Sequence, residues 1–217
     1  MIATQDLIES LVARANPVRR LRPPVLRAAL WLLLAAAILA LLAVSHGLRP
    51  DLALRLRQPL FVGGLAASLL TGVLAAVAAF IASLPDRSRL WLLLPVPSLA
   101  IWLSAVSYQC LTDWVNLRPD GVHLGETADC FATLVLTSIP LWLALLMMLR
   151  YAGLFRPAAV AAAGSLAVAA LAASALSAFH PFDASVMILV WNFGTAALLV
   201  GLGSALGEKM FYWVAPR

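Results

Sequence analysis

The sequence predicts an all-α membrane protein, a bundle of six transmembrane helices with both termini in the cytoplasm and a short amphipathic helix ahead of the first span. Three observations predict it. Of the 217 residues, 63% are hydrophobic and only 12% charged, and the mean hydropathy is +0.96. Soluble domains are nearer half apolar and a quarter charged, so this chain could not cover a water-facing surface. Its apolar residues fall into six runs, each about as long as the roughly 20 residues a spanning helix needs. The basic residues are spread between those runs rather than clustered, as topology signals are and nucleic-acid patches are not.

The runs are 28–46, 59–83, 90–109, 130–149, 157–179 and 185–206. Backbone groups in lipid must pair internally, which leaves helices or closed barrels. The runs lack the alternation of barrel strands, so helices are predicted. The first run is too long for the apolar core of a signal peptide and no small-residue cleavage site follows it, so it reads as a retained span. Segment 1–27 precedes the bundle at 28–206, and a tail at 207–217 follows it. With the N-terminus inside, the inner segments hold Arg14, Arg19, Arg20, Arg22, Arg27, Arg87, Arg89, Arg150, Arg156, Lys209 and Arg217, and the outer ones Arg49, Arg55, Arg57 and Arg118. Eleven against four favours an N-in, C-in bacterial inner-membrane protein. The arginines of the first outer loop run against that count. They alternate with Leu52, Leu54 and Leu56, which suggests an interfacial stretch.

Small residues prepare the spans for close packing. Gly63, Gly64 and Gly72 lie in the second, the fifth is alanine-rich, and Gly203 and Gly207 form a GxxxG in the sixth. Pro95 and Pro97 should kink the third span and Pro140 the fourth.

Acidic residues fall in loops or at span ends, so neither a proton relay nor an ion-binding set forms at mid-membrane. That argues against a transporter, as does the lack of an inverted repeat. Paired carboxylates, a nucleophile elbow, a phosphate loop and an HExxH motif are absent, and no cofactor is expected. A membrane thiol–disulfide oxidoreductase remains an alternative on the strength of two cysteines, although the usual CxxC spacing is missing.

Two segments carry most of the functional information. From Thr4 to Arg14 the apolar residues Leu7, Ile8, Leu11 and Val12 recur at helical spacing, and Thr4 is a candidate cap. The stretch Pro17-Val18-Arg19-Arg20-Leu21-Arg22-Pro23-Pro24 follows as an extended basic linker. Such a helix either lies on anionic lipid or docks its apolar face into the groove of a cytoplasmic partner. On the outer side, Cys110 ends the third span and Cys130 begins the fourth, both facing an oxidising compartment. They are a structural disulfide, two buried thiols, or a pair that responds to oxidants or soft metals. His46, His123 and His180 lie on the same side, and His180 is the weak candidate for a metal ligand beside a thiolate.

Several short stretches together resemble a known family. They are Asp6-Leu7-Ile8 with Pro17-Val18-Arg19-Arg20; Cys130 with Ser138 and Pro140, leading to Arg150 and Arg156-Pro157-Ala158; and His180-Pro181-Phe182-Asp183-Ala184-Ser185 with Trp191 before a glycine-rich last helix. In order and spacing the chain is similar to the NrsF-like family of six-helix bacterial anti-sigma factors. The resemblance implies a protein that holds an extracytoplasmic-function sigma factor at the inner membrane and touches no nucleic acid itself. It implies contact through the N-terminal segment, with Leu7, Ile8, Leu11, Val12, Arg19 and Arg20 as partner-binding residues, and release on oxidative or heavy-metal stress sensed by outer cysteines. Cys130 matches a family cysteine. The family's second cysteine, beside the histidine before the last helix, has no counterpart, since Pro181 follows His180. Cys110 is then the candidate partner of Cys130.

Overall fold

The computed structural model describes residues 22–115, 124–149 and 157–179, with isolated positions 4, 5, 9, 12, 13, 194, 197, 198 and 201; of 46, 109–115, 124–134 and 179 it describes the backbone alone. Every element among the described residues is helical. They are α1 (Pro24–His46), the short α2 (Leu52–Arg55), α3 (Pro59–Ala82), a 3-10 turn (Arg89–Leu93), α4 (Val96–Val115), α5 (Leu124–Leu149) and α6 (Pro157–Phe179).

Local chemistry sets the helix ends. α1, α3 and α6 each start on a proline, whose missing N–H is not needed in a first turn and whose fixed φ suits it. α1 stops where Gly47 takes φ 78°, a left-handed conformation open to a residue without Cβ, and returns its N–H to the Ala43 carbonyl.

Four stretches among the described residues are long and apolar enough to cross a membrane: Pro24–Ser45, Pro59–Ala82, Arg89–Tyr108 and Pro157–Ala178. In α5 the stretch Val135–Leu149 is also apolar. The expected sixth span, 185–206, lies outside the described residues apart from helical positions 194, 197, 198 and 201.

Three boundaries differ from the sequence expectation. The first span begins at Pro24, not residue 28, which moves Arg27 from the cytoplasmic segment into the helix. The third run is not one kinked helix. A 3-10 turn covers Arg89–Leu93, and a new helix starts at Val96 and runs to Val115. Pro95 and Pro97 cannot supply the N–H groups that would continue a helix from residue 89, so they restart one, whose first bond runs from the Leu99 N–H to the Pro95 carbonyl. The fourth helix starts at Leu124, before residue 130, and Pro140 lies inside it.

The helices alternate in direction. Gly64 lies against Ala105 and Thr71 against Ser98, so α3 and α4 are antiparallel. Ser68 meets Ser174 while Gly72 meets Leu171, so α3 and α6 are too. Trp142 meets Ser165 and Leu145 meets Gly164 across α5 and α6. Arg27 meets Met148 and Trp31 meets Leu141 across α1 and α5.

The α3–α6 pair forms the centre of the bundle. α3 also packs on α1 and α4, and α6 on α5 and α1. Small residues make this pair close. A Cβ at Gly72 would stand 2.8 Å from Leu171 Cγ, well inside contact distance. α6 is buried along most of its length, with Ala167, Val168, Ala170, Leu171, Ala172 and Ala173 inside. Where hydrogen-bond partners are few, buried hydroxyls satisfy one another: Ser68 and Ser174 lie 2.7 Å apart, and Thr71 donates to Ser98 at 3.1 Å.

Candidate functional site

The alternation of helices sorts the chemistry onto two ends. One end holds the start of α1, the end of α3, the 3-10 turn and the end of α5, with Arg22, Arg27, Arg87 and Arg89. The other holds the loop from Gly47 to Gln58, with Arg49, Arg55 and Arg57, and the end of α6.

The amino-terminal segment leads into the first end. Positions 4, 5, 9, 12 and 13 are helical and exposed, and Val12 shows 70% of its surface. Thr4 is within the helix rather than capping it. Leu7, Ile8, Leu11, Arg19 and Arg20 lie outside the described residues.

Where that segment enters the bundle, Arg27 turns inward. It is 6% exposed, donates from Nη2 to the Met148 carbonyl, and holds its guanidinium carbon 5.3 Å from the centroid of the Phe80 ring. Met148 lies in the last turn of α5, where carbonyls lack helical partners and the helix dipole is negative. One turn on, the Trp31 indole donates to the Leu141 carbonyl at 3.1 Å. Among the described residues Arg27 Nη1 is buried with no hydrogen-bond partner.

At the other end Arg49 is also buried, but differently. Its Nε and Nη2 bind the two carboxylate oxygens of Asp51 at 2.7 and 2.8 Å, its guanidinium carbon lies 5.9 Å from the centroid of the Phe61 ring, and its main-chain N–H donates to the Ala178 carbonyl at 3.2 Å. The loop thereby caps the end of α6. Hydrogen bonds from Arg49, with its charge and a further contact from Arg55, hold the Asp51 carboxyl down at about 2. Leu52 and Leu54 of the stretch lie in a single turn, α2, and Leu54 and Leu56 are exposed.

Both cysteines lie within helices rather than at their ends. α4 continues past Cys110 to Val115, and α5 begins before Cys130. With a rise of about 1.5 Å per residue, both fall at the end that holds Arg49. Their helices flank α6. Trp102 of α4 packs with Ala170 and Ala173, whereas Leu145 and Trp142 of α5 meet Gly164 and Ser165, roughly opposite sides of the α6 cylinder. His123 and His180 lie outside the described residues, as does the side chain of His46. Among the described residues no group of His, Cys, Asp and Glu gathers to hold a metal.

The sequence matches the family described as NrsF, Negative regulator of sigma F, over residues 11–213. This chain belongs to the NrsF family. The match runs through all the described helices of the bundle and starts at Leu11, so Asp6, Leu7 and Ile8 stand just outside it. A search of curated proteins found no match, and neither did a search of solved structures.

Sequence reasoning missed Arg27, which it counted only as a topology charge. A signal was available: Arg27, Ala28, Trp31 and Ala35 share one helical face, and all four are buried. Arg49 was read as one of three loop arginines. Its pairing with Asp51, two residues on, was legible in principle.

Proposed function

We propose that this NrsF-family chain is a multi-pass anti-sigma factor of the bacterial inner membrane. It holds an extracytoplasmic-function sigma factor through residues 1–27 and releases it when oxidative or heavy-metal stress acts on the periplasmic side. The observation that carries this reading is the family match over residues 11–213, together with a bundle of long apolar helices. Negative regulation of a sigma factor needs a protein contact, and the exposed helical positions of the amino-terminal segment are the part of the chain best suited to one.

In this reading both termini are cytoplasmic. Leu7, Ile8, Leu11 and Val12 seat in a groove of the sigma factor, with Arg19 and Arg20 adding charge at its rim. Cys110 and Cys130 face the periplasm. Their modification repacks α4 and α5 against α6 and shifts the population between a holding and a releasing state. The shift releases the partner only as far as the two states differ in affinity for it.

The test is a pull-down from detergent extract with tagged full-length protein and a copy lacking residues 1–16. A sigma factor retained by the full-length chain alone is the expected result. Equal retention by both, or by neither, would overturn the reading.

A further inference from the structure

The end of the bundle that receives the amino-terminal segment is tied together by α1. Arg27 and Trp31, one turn apart on α1, hold the carbonyls of Met148 and Leu141, two turns apart on α5. The ten residues from Pro140 to Leu149 are thereby gripped, and Leu141, Leu145, Leu146 and Leu149 are buried along them.

At the start of this segment the hydrogen-bond ladder of α5 has a gap. Pro140 has no N–H to give the carbonyl of Leu136, one turn back. Among the described residues the Ser138 hydroxyl, two residues before the proline, is buried with no hydrogen-bond partner. Helices bend at such places. Beyond it, toward the other end, α5 carries Cys130.

The contact at Arg27 is itself poised. A buried guanidinium is normally met by a carboxylate. Among the described residues Arg27 has a carbonyl, the negative end of a helix dipole and a ring face, and Nη1 has no acceptor. Such a contact is specific in direction, yet it opens without leaving a carboxylate stranded.

We propose that Arg27 is a latch, a positioning residue through which the part of α5 beyond Pro140 sets the amino-terminal segment. Closed, it fixes the first turn of α1, into which the linker at residues 17–24 leads. A swing of α5 at Pro140 withdraws the Met148 carbonyl, frees that turn and loosens the segment. This inference rests on the reading that residues 1–27 hold a sigma factor, but its first readout does not need one.

The experiment uses the full-length protein in lipid nanodiscs, as wild type, Arg27→Met, Arg27→Lys and Ser68→Ala. The rate of trypsin cleavage after Arg19, Arg20 and Arg22 reports the freedom of the linker, and co-purification reports the sigma factor. Ser68→Ala removes the bond to Ser174 and serves as a purely structural control. Arg27→Met is expected to raise the cleavage rate about tenfold and lower retention by a similar factor. Arg27→Lys, which keeps the charge but loses the fork, should fall between. Ser68→Ala should lower the melting temperature and leave cleavage unchanged. Cleavage of Arg27→Met at the wild-type rate, or a rise that Ser68→Ala reproduces at an equal drop in melting temperature, overturns the latch. If Arg27→Met does not accumulate, Phe80→Leu removes only the ring and should raise cleavage about threefold; an unchanged rate there overturns the latch too. A wild-type protein that retains no sigma factor defeats the functional reading, while the cleavage arm still decides the latch.

Discussion

Each end of the bundle buries an arginine against a phenylalanine ring, and the two differ in what meets the charge. Arg49 is neutralised by a carboxylate in a two-pronged pair, and its own main chain caps α6. Among the described residues Arg27 is met by a carbonyl and a ring, and its Nη1 has no acceptor. A two-pronged ion pair fixes geometry and resists change. Among the described residues no carboxylate meets Arg27, so opening its contact separates no ion pair. The Arg49 end is thus a clip and the Arg27 end a joint, and the joint lies where the amino-terminal segment enters.

The sharpest way to break that contrast is to remove the output. Leu7→Asp with Leu11→Asp puts two charges where apolar side chains are expected to dock, and should weaken sigma-factor binding by about 100-fold, or about 2.7 kcal/mol. Titration of the partner against detergent-solubilised protein checks this, with membrane insertion unchanged. Binding within threefold of wild type would remove the joint's proposed purpose.

A substitution at the centre should damage both ends alike. Gly72→Val forces side-chain atoms into Leu171 and toward the Ala167 carbonyl, so a loss of about 1–3 kcal/mol is expected. Thermal unfolding in detergent measures it. A neutral result would mean that α3 and α6 can separate without penalty, and the two ends would no longer be distinguished by what they attach to.

Arg49→Gln tests the clip alone. Asp51 is partly solvent-facing, so only a small drop in melting temperature is expected, with sigma-factor retention unchanged. Reduced retention would show that the clip, too, feeds the amino-terminal segment.

The smallest effect is acid titration of the clip. The Asp51 carboxyl sits at about 2, below its ordinary 3.8, because Arg49 hydrogen-bonds its charged form. A carboxylate depressed in the folded state adds stability in full above its ordinary value and loses it as pH falls through the folded one. The difference in melting temperature between wild type and Asp51→Asn should therefore persist at pH 5, shrink from about pH 4 and vanish near pH 2. A difference that does not change over this range would mean the pair carries no linkage.

Much of this architecture was legible in the sequence because hydrophobic runs and small residues are themselves the packing information. Five of the six runs overlap described helices, and the second and fifth, rich in glycine and alanine, pack closely at the centre. The break at residues 89–95 was misread because a proline pair can kink a helix or start one, and only the neighbouring backbone decides. Arg27 escaped because its partners are a carbonyl and a ring. A carbonyl belongs to every residue and leaves no trace in a pattern of side chains, whereas Asp51 beside Arg49 does. Leu7, Ile8 and Leu11 remain readings of helical spacing, and Cys110 and Cys130 are placed by backbone alone.

The burial of α6 also bears on how the protein is made. In a membrane-inserted bundle this helix would enter after α3, α4 and α5, yet it packs on both α3 and α5. Until residues 157–179 have left the ribosome, Ser68 of α3 would lack Ser174, and Leu145 and Trp142 of α5 would lack their contacts on Gly164 and Ser165. Nascent chains stopped at residue 150 should therefore be preferred substrates of membrane-bound proteases, and chains stopped at residue 180 should not. In the living cell, the supply of this regulator would then be limited by the time its last-arriving core helix takes to dock.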